Sequence, residues 1–287
     1  MRVSHSTSLV SSLVLSWIAD CGGAQTAPPA IAPATSPREM AIQVLEVGIA
    51  DAQPDLVRAL ISPTYGQHNP HVVDGPEGLI GFVEEFTRRP ASARPTIHVV
   101  RSIVDGDFVF LQAEYGLHGG HGSGVDMFRV ENGRLAEHWD AGNPSPASIP
   151  SGHTLLDGPT DNGDLTQTEA SKALVRQFAE HVMVAHSFDG YDTFFEGDQL
   201  IEHDLHLSDG AAALRAALES PDTVVVRDEV LRVLGEGELV AVEYRGKVGG
   251  ALAVVYDIFR VTNVKLSERW SVHERVPEQM AHNNGMF

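Results

Sequence analysis

The chain contains two copies of one pattern. His68, His71 and the pair Asp74-Gly75 in QHNPHVVDGPEGL recur 135 positions later as His203, His206 and Asp209-Gly210 in IEHDLHLSDGAAAL. Farther along, DMFRVENGRLAEHWDAGNPSP from Asp126 matches DIFRVTNVKLSERWSVHERVP from Asp257, now 131 positions on, so the second copy has lost four residues between the two motifs. Two long copies imply duplicated domains rather than a solenoid, and each needs a core of its own. At 287 residues with 43% hydrophobic content, the chain can supply two such cores.

Within each copy, helical periodicity comes first and strand alternation second. Apolar residues fall at helical spacing from Pro37 to Ala50, a short helix follows over Asp55 to Ile61, and Pro76 starts a third that runs to Arg88. Asp74 is expected to cap that third helix. Strands are then expected over 96–104, 107–116, 124–130 and 134–140, with Asn132-Gly133 as a hairpin turn. Helices followed by an antiparallel sheet define an α+β layer domain. The seam is the turn-rich DGPTDNGDLTQTE, giving domains over 38–157 and 169–287 joined by a linker over 158–168.

The first 23 residues have the order of a secretory signal: a basic start, an apolar run from Leu9 to Ala19, then small residues. Cys21 sits where a lipoprotein signal places its lipid-modified cysteine, so lipidation there would anchor the chain to a membrane. Residues 24–37 read as a flexible tether. The expectation is an exported protein: periplasmic, secreted or lipid-anchored. A formal charge of −19 argues against nucleic acid as a partner, because phosphate backbones are held by cationic surfaces.

At DMFRVENGRLAEHWD the chain resembles the closing hairpin of SnoaL-like polyketide cyclases, within the nuclear transport factor 2-like superfamily. QHNPHVVDGPEGL resembles an earlier segment of the same family, and NNGMF and LLDGPTDNGDL resemble its tandem members. The resemblance implies two tandem cone-shaped domains, in each of which N-terminal helices close a pocket against a curved antiparallel sheet. Alternate strand residues would then line that pocket, and the parity chosen is Asp126, Phe128, Ala136, His138 and Asp140. The opposite parity pairs Arg129 with Glu137 and Arg260 with Glu268 across strands, outside the pocket. A second resemblance supports this choice, since Asp126 and Asp257 fall where ketosteroid isomerases carry an oxyanion-stabilising carboxylic acid.

Enolisation needs a base beside a carbonyl and a donor for the developing oxyanion. Asp140, assisted by His138, is assigned as the base, and Asp126 or His68 as the donor, with Phe128 on the apolar wall. His68 is expected to face the pocket. The second copy keeps His203 and Asp257 but has Arg269 and Ser271 in place of His138 and Asp140. There, His203, Asp257 and Arg269 are assigned to substrate binding, or the copy serves as a degenerate partner in a pseudo-dimer. The whole would be a monomer with pseudo-dimeric domains or a homodimer. No cofactor and no metal are expected, because no HxxxH lies on a helix and GLHGGHGSG reads as a flexible hairpin. The partner is a small hydrophobic carbonyl compound, acted on by enolisation with aldol condensation, cyclisation or isomerisation. The alternative is an exported binding module without turnover.

Overall fold

The computed structural model describes residues 36–117 and 120–287; the signal, Cys21 and the tether up to residue 35 lie outside the described residues, as does His118, whereas Ser36 and Pro37, expected to end the tether, begin a helix. The chain folds as α1 (Pro37–Ile42) running into a π-helical segment (Gln43–Ile49), α2 (Pro54–Leu60), β1 (Ile61–Gln67), α3 (Pro76–Thr87), β2 (Thr96–Asp105), β3 (Phe108–Leu117), β4 (Gly120–Glu131) and β5 (Arg134–Pro144). The second copy repeats the order with a short 3-10 turn (Tyr191–Phe194) in place of α2: α4 (Thr168–Phe178) running into a π-helical segment (Ala179–Val184), β6 (Ile201–His203), α5 (Ala211–Glu219), β7 (Val225–Glu236), β8 (Leu239–Val248), β9 (Ala251–Thr262) and β10 (Lys265–Arg275). Among the described residues no helix is long and apolar enough to cross a membrane.

Local chemistry accounts for the helices. Ser36 caps α1 in a reciprocal box with Glu39, and Pro37 occupies the first turn, where its missing N–H costs nothing. In α3 the buried residues Leu79, Ile80, Val83 and Phe86 form one stripe facing the sheet. Asp74 does not cap that helix as expected. Gly75 is the N-cap residue, and Asp74 Oδ1 instead accepts the Gln67 N–H at 3.0 Å, as Asp209 Oδ1 accepts that of Glu202 at 2.9 Å. Gly48 is required by packing, since a Cβ there would lie 2.4 Å from Val57 Cγ2 of α2.

Each half forms one five-stranded sheet, ordered β1-β5-β4-β3-β2 and β6-β10-β9-β8-β7. All pairs are antiparallel except β1 with β5 and β6 with β10, which are parallel. These edge strands were not expected from sequence. ISPTYGQ carries Pro and Gly inside a seven-residue stretch, so its alternation does not read as a strand. Conversely, β4 extends back through His121 and Gly122, into the GLHGGHGSG stretch that by sequence reads as a flexible hairpin. Ladder irregularities between Val99 and Arg101, and between Arg129 and Val130, bend the first sheet. The second of these resets the alternation, so Leu135, rather than Ala136, joins the apolar cluster on the concave side.

The two halves pack through the outer faces of their sheets. Ile103, Phe110, Met127 and Trp139 of the first half share one buried cluster with Tyr256, Ile258, Trp270 and Val272 of the second. Reciprocal stacking completes it: Arg101 lies 4.1 Å over the Trp270 ring, and Arg232 lies 4.4 Å over the Trp139 ring. Separate clusters under the helices fill the concave sides.

Candidate functional site

In the first half the site is assembled where β1, β4 and β5 meet. Parallel pairing sets Gln67 opposite His138, so these side chains share the concave side while His68 is carried to the other face. Gln67 Oε1 accepts the backbone N–H groups of His68 (3.0 Å) and Asn69 (2.9 Å), which fixes which end of its amide is oxygen. His138 Nδ1 lies 3.0 Å from the same oxygen, so Nδ1 carries a proton and donates it. Its Nε2 meets Asp126 Oδ1 at 3.0 Å, and the Tyr115 hydroxyl donates to Asp126 Oδ2. Burial works against a charge on His138, but the bond to Asp126 and the negative charges of Asp140 and Asp126 hold its imidazole above the ordinary value. Burial and the charge of Asp126 keep the Tyr115 phenol protonated, well above its usual range.

Asp140 stands opposite Asp126 across the β4–β5 ladder. Asn69 Nδ2 donates to Asp140 Oδ2 at 2.6 Å, and the Asn69 amide is itself fixed because Oδ1 accepts the His71 N–H at 2.8 Å. Burial pushes the Asp140 carboxyl up to about 6, against the pull of His138. A cavity of about 190 Å³ lies above these groups. Its walls are apolar, from Leu45 and Ile49 of the first helical run, Leu79, Phe82 and Phe86 of α3, and Ile97 of β2. Gln67, Asn69, Tyr115, Asp126, His138 and Asp140 form its polar end. Asn69, Tyr115 and Asp140 also line a wider cleft of about 450 Å³, bounded by the glycine-rich start of β4 and by Glu274 of the second half. Asp140 therefore lines both the apolar cavity and the wider cleft.

Three residues assigned from sequence to this pocket are not on its wall: Ala136, displaced by the register shift that turns Leu135 inward, His68 and Phe128. His68 lies on the outer face, with Nε2 2.9 Å from Glu137 Oε1, Nδ1 3.0 Å from the Gly285 carbonyl, and its ring stacked 4.7 Å from Trp139. There it joins the Arg129–Glu137 ion pair, whose Nε to Oε2 distance is 2.9 Å. The cause is strand alternation in β1, which places Gln67 and His68 on opposite faces. Phe128 stacks 4.5 Å from the His138 ring and forms the floor beneath it rather than the wall. Sequence reasoning in turn missed Gln67, Asn69 and Tyr115. The first two sit at alternate positions around His68, a signal that becomes readable only once that stretch is known to continue a strand.

The second half is built differently at the same place. Asp257 is fully buried between Arg227, at 2.6 and 2.7 Å, and Arg269, at 2.8 Å. Arg269 also meets Glu202, at 3.1 Å to each oxygen, and Asp204 at 3.4 Å. Glu202 and Asp204 stand where the first half has Gln67 and Asn69. Burial pushes Glu202 up to about 7, whereas Arg227 and Arg269 overcome the burial of Asp257 and hold its carboxyl below the usual range. A cavity of about 190 Å³ touches this cluster through Arg227, Arg269 and Asp204, but neither Asp257 nor His203 lines it. His203 repeats His68 on the outer face, with Nε2 2.8 Å from Glu268 and its ring stacked 4.9 Å from Trp270. Both were expected to bind substrate; one is locked between guanidinium groups, the other is turned away by alternation in β6.

Asp126, His138 and Asp140 each offer an atom within 4.8 Å of the others, a spacing open to a cation. The donor set does not fit one as it stands, because Gln67 holds Nδ1 of His138 and Asp126 holds Nε2. The arrangement is suited to sharing protons.

Residues 43–138 match the sequence profile of the SnoaL-like domain family. The matched segment lies within the first of two α+β halves, each with its helices packed on one five-stranded sheet. Similar solved structures include TsrD from Streptomyces laurentii, at 18% identity and a TM-score of 0.32, covering 38% of this chain and 92% of its own. A candidate SnoaL-like polyketide cyclase from Jannaschia sp. CCS1 is 20% identical with a TM-score of 0.31, covering 39% and 92%. A candidate ketosteroid isomerase from Kribbella flavida is 17% identical with a TM-score of 0.33, covering 43% and 89%. No curated protein matches the chain.

Proposed function

We propose that the first half is a cofactor-independent acid–base catalyst acting on a small hydrophobic carbonyl compound. Asp140 removes a proton next to the carbonyl, and the enolate goes on to aldol condensation, cyclisation or isomerisation. The observation that carries this reading is the position of Asp140 on the walls of both an apolar cavity and a wider cleft, with its carboxyl raised to about 6. A base with that proton affinity takes and returns protons near neutral pH. Tyr115 keeps its proton and lines the same wall, which supports it as the donor to the enolate oxygen. Its hydroxyl would turn from Asp126 to the substrate. His138, held by Gln67 and Asp126, sets the charge around Asp140.

The test is exchange of α-protons into deuterated water, followed by NMR with acetylacetone and cyclohexane-1,3-dione as probes. Exchange above the buffer rate that vanishes in Asp140→Asn supports the reading; equal rates in both proteins would sink it. A second reading, a binding module without turnover, is favoured by the second half, where Arg269 and Ser271 replace the acid–base pair. It predicts probe binding with no exchange in either protein. The N-terminal sequence supports an exported protein, lipid-anchored through Cys21 or released. The mass of the mature N-terminus, compared between wild type and Cys21→Ala, decides between these fates.

A further inference from the structure

Each half is followed by a tail that reaches the other half. The segment after β10 lies along the residues that leave β1: Asn284 Nδ2 donates to the Gln67 carbonyl (3.0 Å), His282 Nε2 to the Asn69 carbonyl (2.8 Å) and Ala281 N–H to the Pro70 carbonyl (2.8 Å). The Gly285 carbonyl meets His68 Nδ1 at 3.0 Å. The Asn284 N–H donates to His282 Nδ1 at 3.2 Å, which leaves Nε2 as the ring nitrogen that donates to Asn69. Met286 is buried in the cluster between the halves and anchors the tail.

The segment after β5 is its counterpart, 131 positions earlier. Thr154 takes the place of Gly285, and its carbonyl meets His203 Nδ1 at 2.7 Å. The other three contacts are not repeated. Pro150, in place of Ala281, has no N–H; Ser151 replaces His282, and His153 replaces Asn284. His153 bonds Asp209 instead, at 3.2 Å. The full set of four contacts thus occurs only over the half that keeps His138 and Asp140.

We infer that the C-terminal tail is a positioning element for the first-half site, with His282 and Asn284 as its positioning residues. Gln67 and Asn69 are the side chains that hold His138 Nδ1 and Asp140 Oδ2, and the tail fixes the backbone carbonyl of each. Without it, the chain beyond β1 is tied by Asp74, the His68 N–H to the His138 carbonyl, the Val72 N–H to the Asn69 carbonyl (3.2 Å) and its own side-chain bonds. The tail gives this edge a second line of backbone partners and removes its freedom to swing Asn69 away from Asp140. This inference rests on the proposed function only for the identity of the site.

The test uses the full chain with ¹⁵N-labelled histidine and follows solvent exchange of the His138 Nδ1 proton by NMR. His282→Ala and Asn284→Asp are expected to speed that exchange roughly fivefold or more, the scale of one lost hydrogen bond. His282→Gln, whose amide can still donate to Asn69, is expected to stay near wild type. Ser151→Ala and His153→Ala, in the counterpart segment, are expected to leave His138 unchanged. Exchange at the wild-type rate in folded Asn284→Asp would overturn the inference, even where His282→Ala fails to fold. Equal acceleration by the Ser151 and His153 variants would overturn it too, since that would mean general loosening. Turnover is not the readout, so fast exchange in these variants with no catalysis in wild type would discard the proposed function and keep the clamp.

Discussion

Gln67 Oε1 holds His138 Nδ1 at 3.0 Å while accepting two backbone N–H groups of its own loop. One side-chain oxygen therefore fixes the loop, the tautomer of the imidazole and, through it, the partner left for Asp126. Replacing Gln67 with Ala removes all three constraints at once. Exchange of the carbonyl probes is expected to fall by on the order of tenfold or more, because a small misplacement of an acid–base group is costly in rate. A steady-state comparison of kcat and KM checks it: a loss in KM alone would mean that Gln67 only binds.

Asp140→Asn keeps the shape of the side chain and its bond from Asn69 but removes the base. The rate of proton exchange is expected to drop by about 10²-fold or more. Probe affinity, measured by NMR titration, is expected to stay within a few fold.

The pH dependence follows from the same carboxyl. Asp140 is pushed up to about 6 from 3.8, so the rate of exchange is expected to rise through an apparent value near 6. That value belongs to the set it forms with His138 and Asp126 rather than to one group. Stability moves the other way. Between about 4 and 6 the folded protein holds a proton that the unfolded chain has lost, so stability falls as pH rises through that window. Since His138 is also raised, a further fall begins above its ordinary value of 6.5. Asp140→Asn cannot ionise. It is expected to be more stable than wild type at pH 7, by on the order of 1 kcal/mol for a half-buried group, with the difference shrinking towards pH 4. Denaturant unfolding at both pH values measures it.

Arg269→Ala leaves Glu202 buried without its guanidinium partner and takes one of two from Asp257, which keeps Arg227. Destabilisation of about 3–5 kcal/mol is expected. The effect on probe exchange at the first-half site is expected to be smaller than that of His138→Ala. Chemical unfolding and the exchange assay, run side by side, separate the two. A larger catalytic loss from Arg269→Ala than from His138→Ala would move the working site to the second half.

The sequence by itself determined the duplication, the helices-then-sheet order and the pairing of Arg129 with Glu137 and of Arg260 with Glu268. Each of these is written in local spacing: a repeat, a 3.6-residue period, an alternation across the Asn132-Gly133 turn. Periodicity also set Asp126, His138 and Asp140 on one face, since all three lie on long antiparallel strands. It did not place His68. That residue's direction depends on β1 being a strand parallel to β5, a pairing between Gln67 and His138 that seven residues interrupted by Pro and Gly do not announce. The same hidden register concealed Gln67 and Asn69, whose roles come from hydrogen bonds to residues 71 positions away. The buried cluster around Asp257 was likewise out of reach, because a carboxylate's function depends on which charges surround it, and only the folded chain brings Arg227 and Arg269 to its two sides. Local pattern decides which face a side chain takes on a recognised strand; its partners are decided by long-range pairing, which alternation within a single strand does not encode.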